Sequence, residues 1–149
     1  MIVIAIIAIL TSVAVPSFLV WLPNYHLQST ASDLFSNFQK AKIEAIKRNA
    51  YCTTVFGQAV GGTTYAYLMF IDADTDFLYD AGETIIVQKL LSDYPDVSFD
   101  TSQGGGDGVT FVNNSDGLPA IAFRSTGMTD DNGGFGSGSV FFTNTNGNT

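Results

Sequence analysis

The first 22 residues, MIVIAIIAILTSVAVPSFLVWL, carry no charged side chain. Their most polar groups are the hydroxyls of Thr11, Ser12 and Ser17, which can bond to carbonyls of a helix's own preceding turn. A run of that length, at about 1.5 Å per residue, spans the roughly 30 Å hydrocarbon core of a bilayer as a helix. A cleaved secretory signal would start with basic residues and end at a small-residue cleavage site; none of the first residues is basic. Such a segment has to be covered, by lipid or by protein. Pro16 lies inside it, donates no hydrogen bond and disfavours the helical conformation of Val15. A break or loosening is therefore predicted around Val13 to Pro16. Trp21 and Tyr25 bracket Pro23 in the manner of an interfacial aromatic belt.

Beyond that exit the apolar positions Leu27, Ala31, Leu34, Phe38, Ala41 and Ala45 alternate in steps of four and three, one stripe of a helix over about residues 26–50. Asp33, Lys40, Lys47 and Arg48 lie off the stripe. The two halves together predict a helix of roughly 75 Å, all apolar in its first half and packed by one face in its second. Glu44 forms three- and four-residue pairs with Lys47, Lys40 and Arg48, the spacing of ordinary helix-surface pairs.

After Asn49 the texture changes to short β-type runs, at 52–56, 63–71, 84–91, 97–99, 109–112, 120–124 and 139–143, separated by glycine- and aspartate-rich breaks. This predicts an α+β chain in which a mainly antiparallel sheet buries one face on the helical stripe. The expected parts are a hydrophobic helix over 1–25 long enough to be transmembrane, its amphipathic continuation over 26–50, and a β-rich head over 51–149.

Charge narrows the partners. The 149 residues hold 14 acids against 6 Lys and Arg, net −8. Residues 1–50 are net +2 and the remainder is net −10. Attraction to nucleic acid or to an anionic membrane surface is disfavoured. One cysteine, Cys52, cannot pair within the chain, and one histidine, His26, cannot build a Cys/His zinc site. Neither has a visible catalytic partner, so His26 reads as an interfacial side chain and Cys52 as a buried strand residue. The glycines at 104–106 and 133–138 lack the Lys-Ser/Thr pair of a phosphate loop.

The opening MIVIAIIAILTSVAVPSF resembles the N-terminal segment of type IV pilins and type II secretion pseudopilins, entered just inside its start, with Pro16 matching the helix-breaking proline. DLFSNFQKAKIEAIKRNAYCTTVF is similar to the FimT/GspH-like branch of that family, as are MFIDADTDFLYDAGETII and IAFRSTGMTDDNGGFGSGSVFF. The resemblance implies a pilin-like fold and a filament subunit that is held in the inner membrane before it joins a homo- or hetero-polymer of pilin subunits. The filament would stand at the cell surface, or in the periplasm if it is a pseudopilus. It places the basic leader, the prepilin peptidase site, the methylated first residue and the nearby glutamate before Met1. The positions expected at the assembly interface are Ile2, Ile6, Ile9, Val13, Pro16, Phe18 and Trp21.

The richest chemical motif is IDADTDFLYDAGE. Asp72, Asp74, Asp76, Leu78, Asp80 and Glu83 occupy positions 1, 3, 5, 7, 9 and 12 of an EF-hand-type loop, with one backbone carbonyl and a closing glutamate among oxygen ligands suited to calcium. Phe77 stands where that loop uses glycine. The alternative is a solvated acidic hairpin. Asn113-Asn114-Ser115 is one N-glycosylation sequon, on Asn113. No nucleophile and base pair points to catalysis, so the expected role is structural. An adhesive or DNA-uptake minor pilin is the alternative, and a single-span membrane enzyme stands behind it. The segment after Arg124 has no Lys or Arg, which argues against DNA.

Overall fold

One helix dominates the computed structural model, which describes residues 2–147 apart from the side chains of residues 5, 8, 9, 12–20 and 132. The helix α1 runs from Ile2 to Arg48, 47 residues, roughly 70 Å at 1.5 Å per residue. The break expected at Val13 to Pro16 is absent: the backbone stays helical through Pro16 and again through Pro23. A proline removes a single hydrogen bond and crowds one carbonyl, while the turns on either side keep theirs, and helix formation is cooperative. Thr11 Oγ1 bonds back to the carbonyl of Ile7 at 2.9 Å. Among the described residues no helix is long and apolar enough to cross a membrane, and part of the 1–25 segment expected to do so falls on side chains outside them.

The helix ends where Asn49 takes a left-handed φ of 49°. The Asn49 amide bonds to the Ile46 carbonyl at 3.2 Å and the Ala50 amide to the Ala45 carbonyl at 3.1 Å, the two bonds of a Schellman cap. Lys47 and Arg48 in the last turn complement the helix dipole. The cap turns the chain directly into the central strand of the head.

The strands are β1 (Tyr51–Phe56), β2 (Ala59–Val60), β3 (Thr63–Thr64), β4 (Tyr67–Asp72), β5 (Thr84–Lys89), β6 (Val97–Phe99), β7 (Ala120–Phe123) and β8 (Phe142–Asn144). An antiparallel sheet of order β5-β4-β1-β7 forms the centre, beside two-stranded pairs β2-β3 and β6-β8. The long helix on a mainly antiparallel sheet is the α+β architecture expected. Three strand expectations change, the 139–143 run first: it becomes strand only from Phe142, as β8, and Val140 makes an isolated bridge. The 63–71 run divides, because the Tyr65 amide still bonds to the Gln58 carbonyl on the β2 side, whereas the next amide, that of Ala66, bonds to the Lys89 carbonyl on β5. The 109–112 run yields only the bridge Val109 to Val140; the facing segment carries Gly136 and Gly138, and a Cβ on Gly138 would lie 2.2 Å from the Phe111 ring.

The sheet buries both faces. Cys52, Phe56, Tyr67, Met69, Ile121 and Phe123 face the core shared with α1. Their alternates Val55, Leu68, Phe70, Ala120 and Ala122 pack under Phe77, Tyr79, Leu118 and Phe135 from the loops. Burial on both sides explains why YLMFI and AIAF read as unbroken apolar runs. On the helix, Leu34, Ala41 and Ala45 are buried and Leu27 and Phe38 partly so, as the stripe predicts. Ala31 is exposed and Thr30 is buried in its stead; the Thr30 hydroxyl donates to the His26 carbonyl at 2.8 Å, which satisfies it inside the apolar face.

Candidate assembly surface and acidic loop

The described side chains in the first turns of α1 are uncovered. Ile2, Val3, Ile4, Ile6, Ile7 and Leu10 are between 51% and 79% exposed. Of the interface positions predicted, Ile2, Ile6 and Trp21 are exposed, and the side chains of Ile9, Val13, Pro16 and Phe18 lie outside the described residues. Trp21 and Tyr25 stack with ring centroids 5.4 Å apart on the surface. The sequence reading missed that the second half of α1 is apolar on its outer side too. Phe35, Ile43 and Ile46 are 65%, 59% and 49% exposed. At 3.6 residues per turn they share an arc of roughly 80° with Trp21 and Tyr25, on the side away from Leu34, Ala41 and Ala45. Simple periodicity could have found it, because a single stripe cannot hold all these residues.

A polar network fixes the helix to the head. The Asp33 carboxylate accepts hydrogen bonds from Tyr94 at 2.5 Å and Tyr67 at 3.4 Å, and Lys89 lies 3.2 Å away. Asn37 donates to the Tyr67 hydroxyl, and the two tyrosine hydroxyls meet at 2.9 Å. Burial pushes the Asp33 carboxyl up, but the bonds from Tyr94 and Lys89 outweigh it and hold the group below the usual carboxylate range. His26 Nδ1 sits 3.2 Å from Asp96, and Asn144 donates to Asn24. No pattern in the sequence links residue 33 to residue 94. Glu44 turns inward along its own helix, 2.8 Å from Arg48 and 3.6 Å from Lys47. Lys40 instead reaches the Ile86 carbonyl at 3.4 Å. Cys52 is fully buried, and burial raises its thiol to about 12.

The acidic loop leaves β4 at Asp72. One carboxylate oxygen from each of Asp72, Asp74 and Asp76 falls within 4.8 Å of the others. Asp80 and Glu83 stand outside that group. The Glu83 carboxylate ties the loop ends together by accepting from the amides of Ala73 at 2.9 Å and Asp80 at 3.1 Å. Leu78, half-buried, donates its amide to Asp76 at 2.8 Å. Asp72 is 1% exposed and accepts from Thr53 Oγ1 and the amides of Thr75 and Phe77. Burial raises both the Asp72 and Glu83 carboxyls, and their amide donors offset only part of it. Phe77 adopts the left-handed φ of 64° that its position demands. Its ring stacks on Phe135 at 4.3 Å, and its carbonyl accepts from Asn114 at 2.9 Å, which hold a conformation a bulky side chain rarely takes. Asn113 is exposed beside this loop.

Residues 30–149 match the family model for the type II transport protein GspH. The chain belongs to the GspH family. The match covers the head and the last part of α1, from Thr30, and it bears out the pilin and pseudopilin resemblance read from the sequence. No curated protein and no solved structure gives a significant match. The matched region begins at Thr30, a buried position of α1 that follows the buried Pro23 and the partly buried Leu27.

Proposed function

We propose that the chain is a structural, non-catalytic subunit of a type II secretion pseudopilus or of a related type IV pilus, polymerised with copies of itself or other pilin subunits through the first half of α1. The observation that carries this reading is the row of exposed apolar side chains from Ile2 to Leu10 on a helix continuous with a GspH head. A patch of that kind marks an interaction surface. Before assembly, lipid of the inner membrane covers it; afterwards neighbouring helices do, with Ile9, Val13, Pro16 and Phe18 in the same core. Nucleic acid is not an expected partner: the chain is net −8, and Arg124, the last cation, is paired with the buried Asp130. Electron microscopy of sheared material from cells that express the chain, labelled with an antibody to the head, tests this. Labelled thin filaments are expected. Secretion-competent cells whose filaments never carry the label would contradict it.

We further propose that the acidic loop takes one calcium ion between Asp72, Asp74 and Asp76, a role confined to stabilising the head. Three carboxylates within 4.8 Å repel one another, and a hard cation with flexible oxygen ligands relieves that repulsion. At a Kd of roughly 10⁻⁴ to 10⁻³ M, 10 mM calcium stabilises by about 1.4 to 2.7 kcal/mol. The expected result is a midpoint for thermal unfolding several degrees higher with calcium than with chelator. Asp74→Asn plus Asp76→Asn should abolish the difference. An equal response in both proteins, or none in either, would remove the site.

A further inference from the structure

The central sheet ends in two edges, and the chain treats them differently. On the β7 side the loops take up the outer backbone groups. The Ala120 amide bonds to the Val112 carbonyl, that of Ala122 to Phe135 and that of Arg124 to Met128, at 2.8 to 3.1 Å, and the Ala122 carbonyl accepts from the Asp130 amide. Such an edge has little to offer another strand. β5 is the opposite edge, and among the described residues no backbone group bonds to its outer side. The Lys89 carbonyl turns inward to the Ala66 amide. Direction alternates along a strand, so the amide and carbonyl of Gln88 face out. An open row of this kind is a template for a strand of another molecule.

We infer that the β5 edge is a pairing surface for β5 of a second copy, and that Lys40 of α1 holds it closed. The strand's own sequence selects that occupant. TIIVQK carries one charge, at its last residue. Two such strands paired antiparallel about a two-fold between Ile86 and Val87 set Thr84 against the partner's Lys89, so no like charges face each other. Asp33, Asn37 and Lys40, four and three residues apart, form a flank of α1 that overlooks this side of the sheet. Asp33 holds Lys89, Asn37 donates to Tyr67, and the Lys40 ammonium reaches the Ile86 carbonyl at 3.4 Å. Ile86 is the extra residue where the β4-β5 register shifts. The bulge bends the edge, and the ammonium stands on a carbonyl that an incoming strand would need as an acceptor. Pairing there would also strip water from the Lys40 charge. Wherever heads stand close together, as in the filament proposed above, an unguarded β5 would join them sideways.

The test uses the full chain in detergent micelles, which cover the first half of α1, with its mass followed against concentration by sedimentation equilibrium. Lys40→Met keeps the side chain's length and helix propensity and removes the charge. It should strengthen dimerisation by more than about tenfold over the unchanged chain and slow hydrogen exchange at the Gln88 amide. Lys40→Arg keeps the cation and should behave as the unchanged chain does. Adding Gln88→Pro to Lys40→Met deletes the outward amide and spares the inner ladder, so the mass should return to that of the unchanged chain. An unchanged mass in Lys40→Met, equal dimerisation in Lys40→Arg, or a Lys40→Met dimer that survives Gln88→Pro would overturn the inference. So would a Lys40→Met dimer whose Gln88 amide exchanges as fast as in the monomer, a readout that does not depend on the proline variant. Filament formation on dilution from detergent is scored separately, so either result leaves the filament reading as it stands.

Discussion

A chain lacking residues 1–25 is expected to remain a monomer at any concentration at which the full chain forms filaments, with assembly lost altogether. Six side chains between Ile2 and Leu10 are at least half exposed. Covering aliphatic side chains of this kind contributes about 1.5 to 3 kcal/mol each when complete, on the order of 10 kcal/mol per subunit for the row. Exposed ion pairs contribute at most about 1 kcal/mol each, so contacts between acidic heads cannot replace the loss. The helix from His26 onward keeps its burial and its bonds to Asp96, Tyr94 and Tyr67, and the head therefore stays folded. Sedimentation of both proteins after dilution from detergent decides it. If the shortened chain still polymerised into the same filaments, the N-terminal helix would not be the assembling element.

Phe56→Ala should be the most damaging single change in the head, costing about 3 to 5 kcal/mol. The ring is 2% exposed at the end of β1. It stacks on Phe111 at 5.7 Å and meets Phe38 of α1, Tyr67 and Phe99 at 6.1 to 6.5 Å. Its removal opens a cavity where helix, central sheet and loops converge, so relaxation of any one wall exposes another. Against a total stability of about 5 to 15 kcal/mol, the unfolding midpoint should fall by more than about 10 °C. Phe35→Ala is the control: its ring is 65% exposed, and its loss should change stability by no more than about 0.5 kcal/mol. Equal effects at the two positions would mean that the core is not organised around Phe56.

These residues also show what the sequence makes legible. Leu34, Ala41 and Ala45 are spaced by the helical period, so their burial follows from pattern alone. The runs at 52–56, 84–91 and 120–124 mark β1, β5 and β7 to within two residues at each end because turn residues bound them. The unbroken helix at Pro16 was not legible, since local proline chemistry is weighed against the cooperativity of 47 residues. Nor was the second buried face of the central sheet. A run such as YLMFI reports burial on both sides, but what covers it, here Phe77 and Phe135 from distant loops, is a tertiary fact. In the acidic loop the alternation placed Asp72, Asp74 and Asp76 together, whereas Glu83 found backbone amides to accept from. The partnership of Asp33 with Tyr94 joins positions 61 residues apart and leaves no local trace.

Helical reconstruction of the labelled filaments measures the central claim most directly. Residues 2–22 should appear as helical density at the filament axis, with the heads outside. Filaments whose axis is built from the heads, with the N-terminal helices on the outer surface, would contradict assembly through α1.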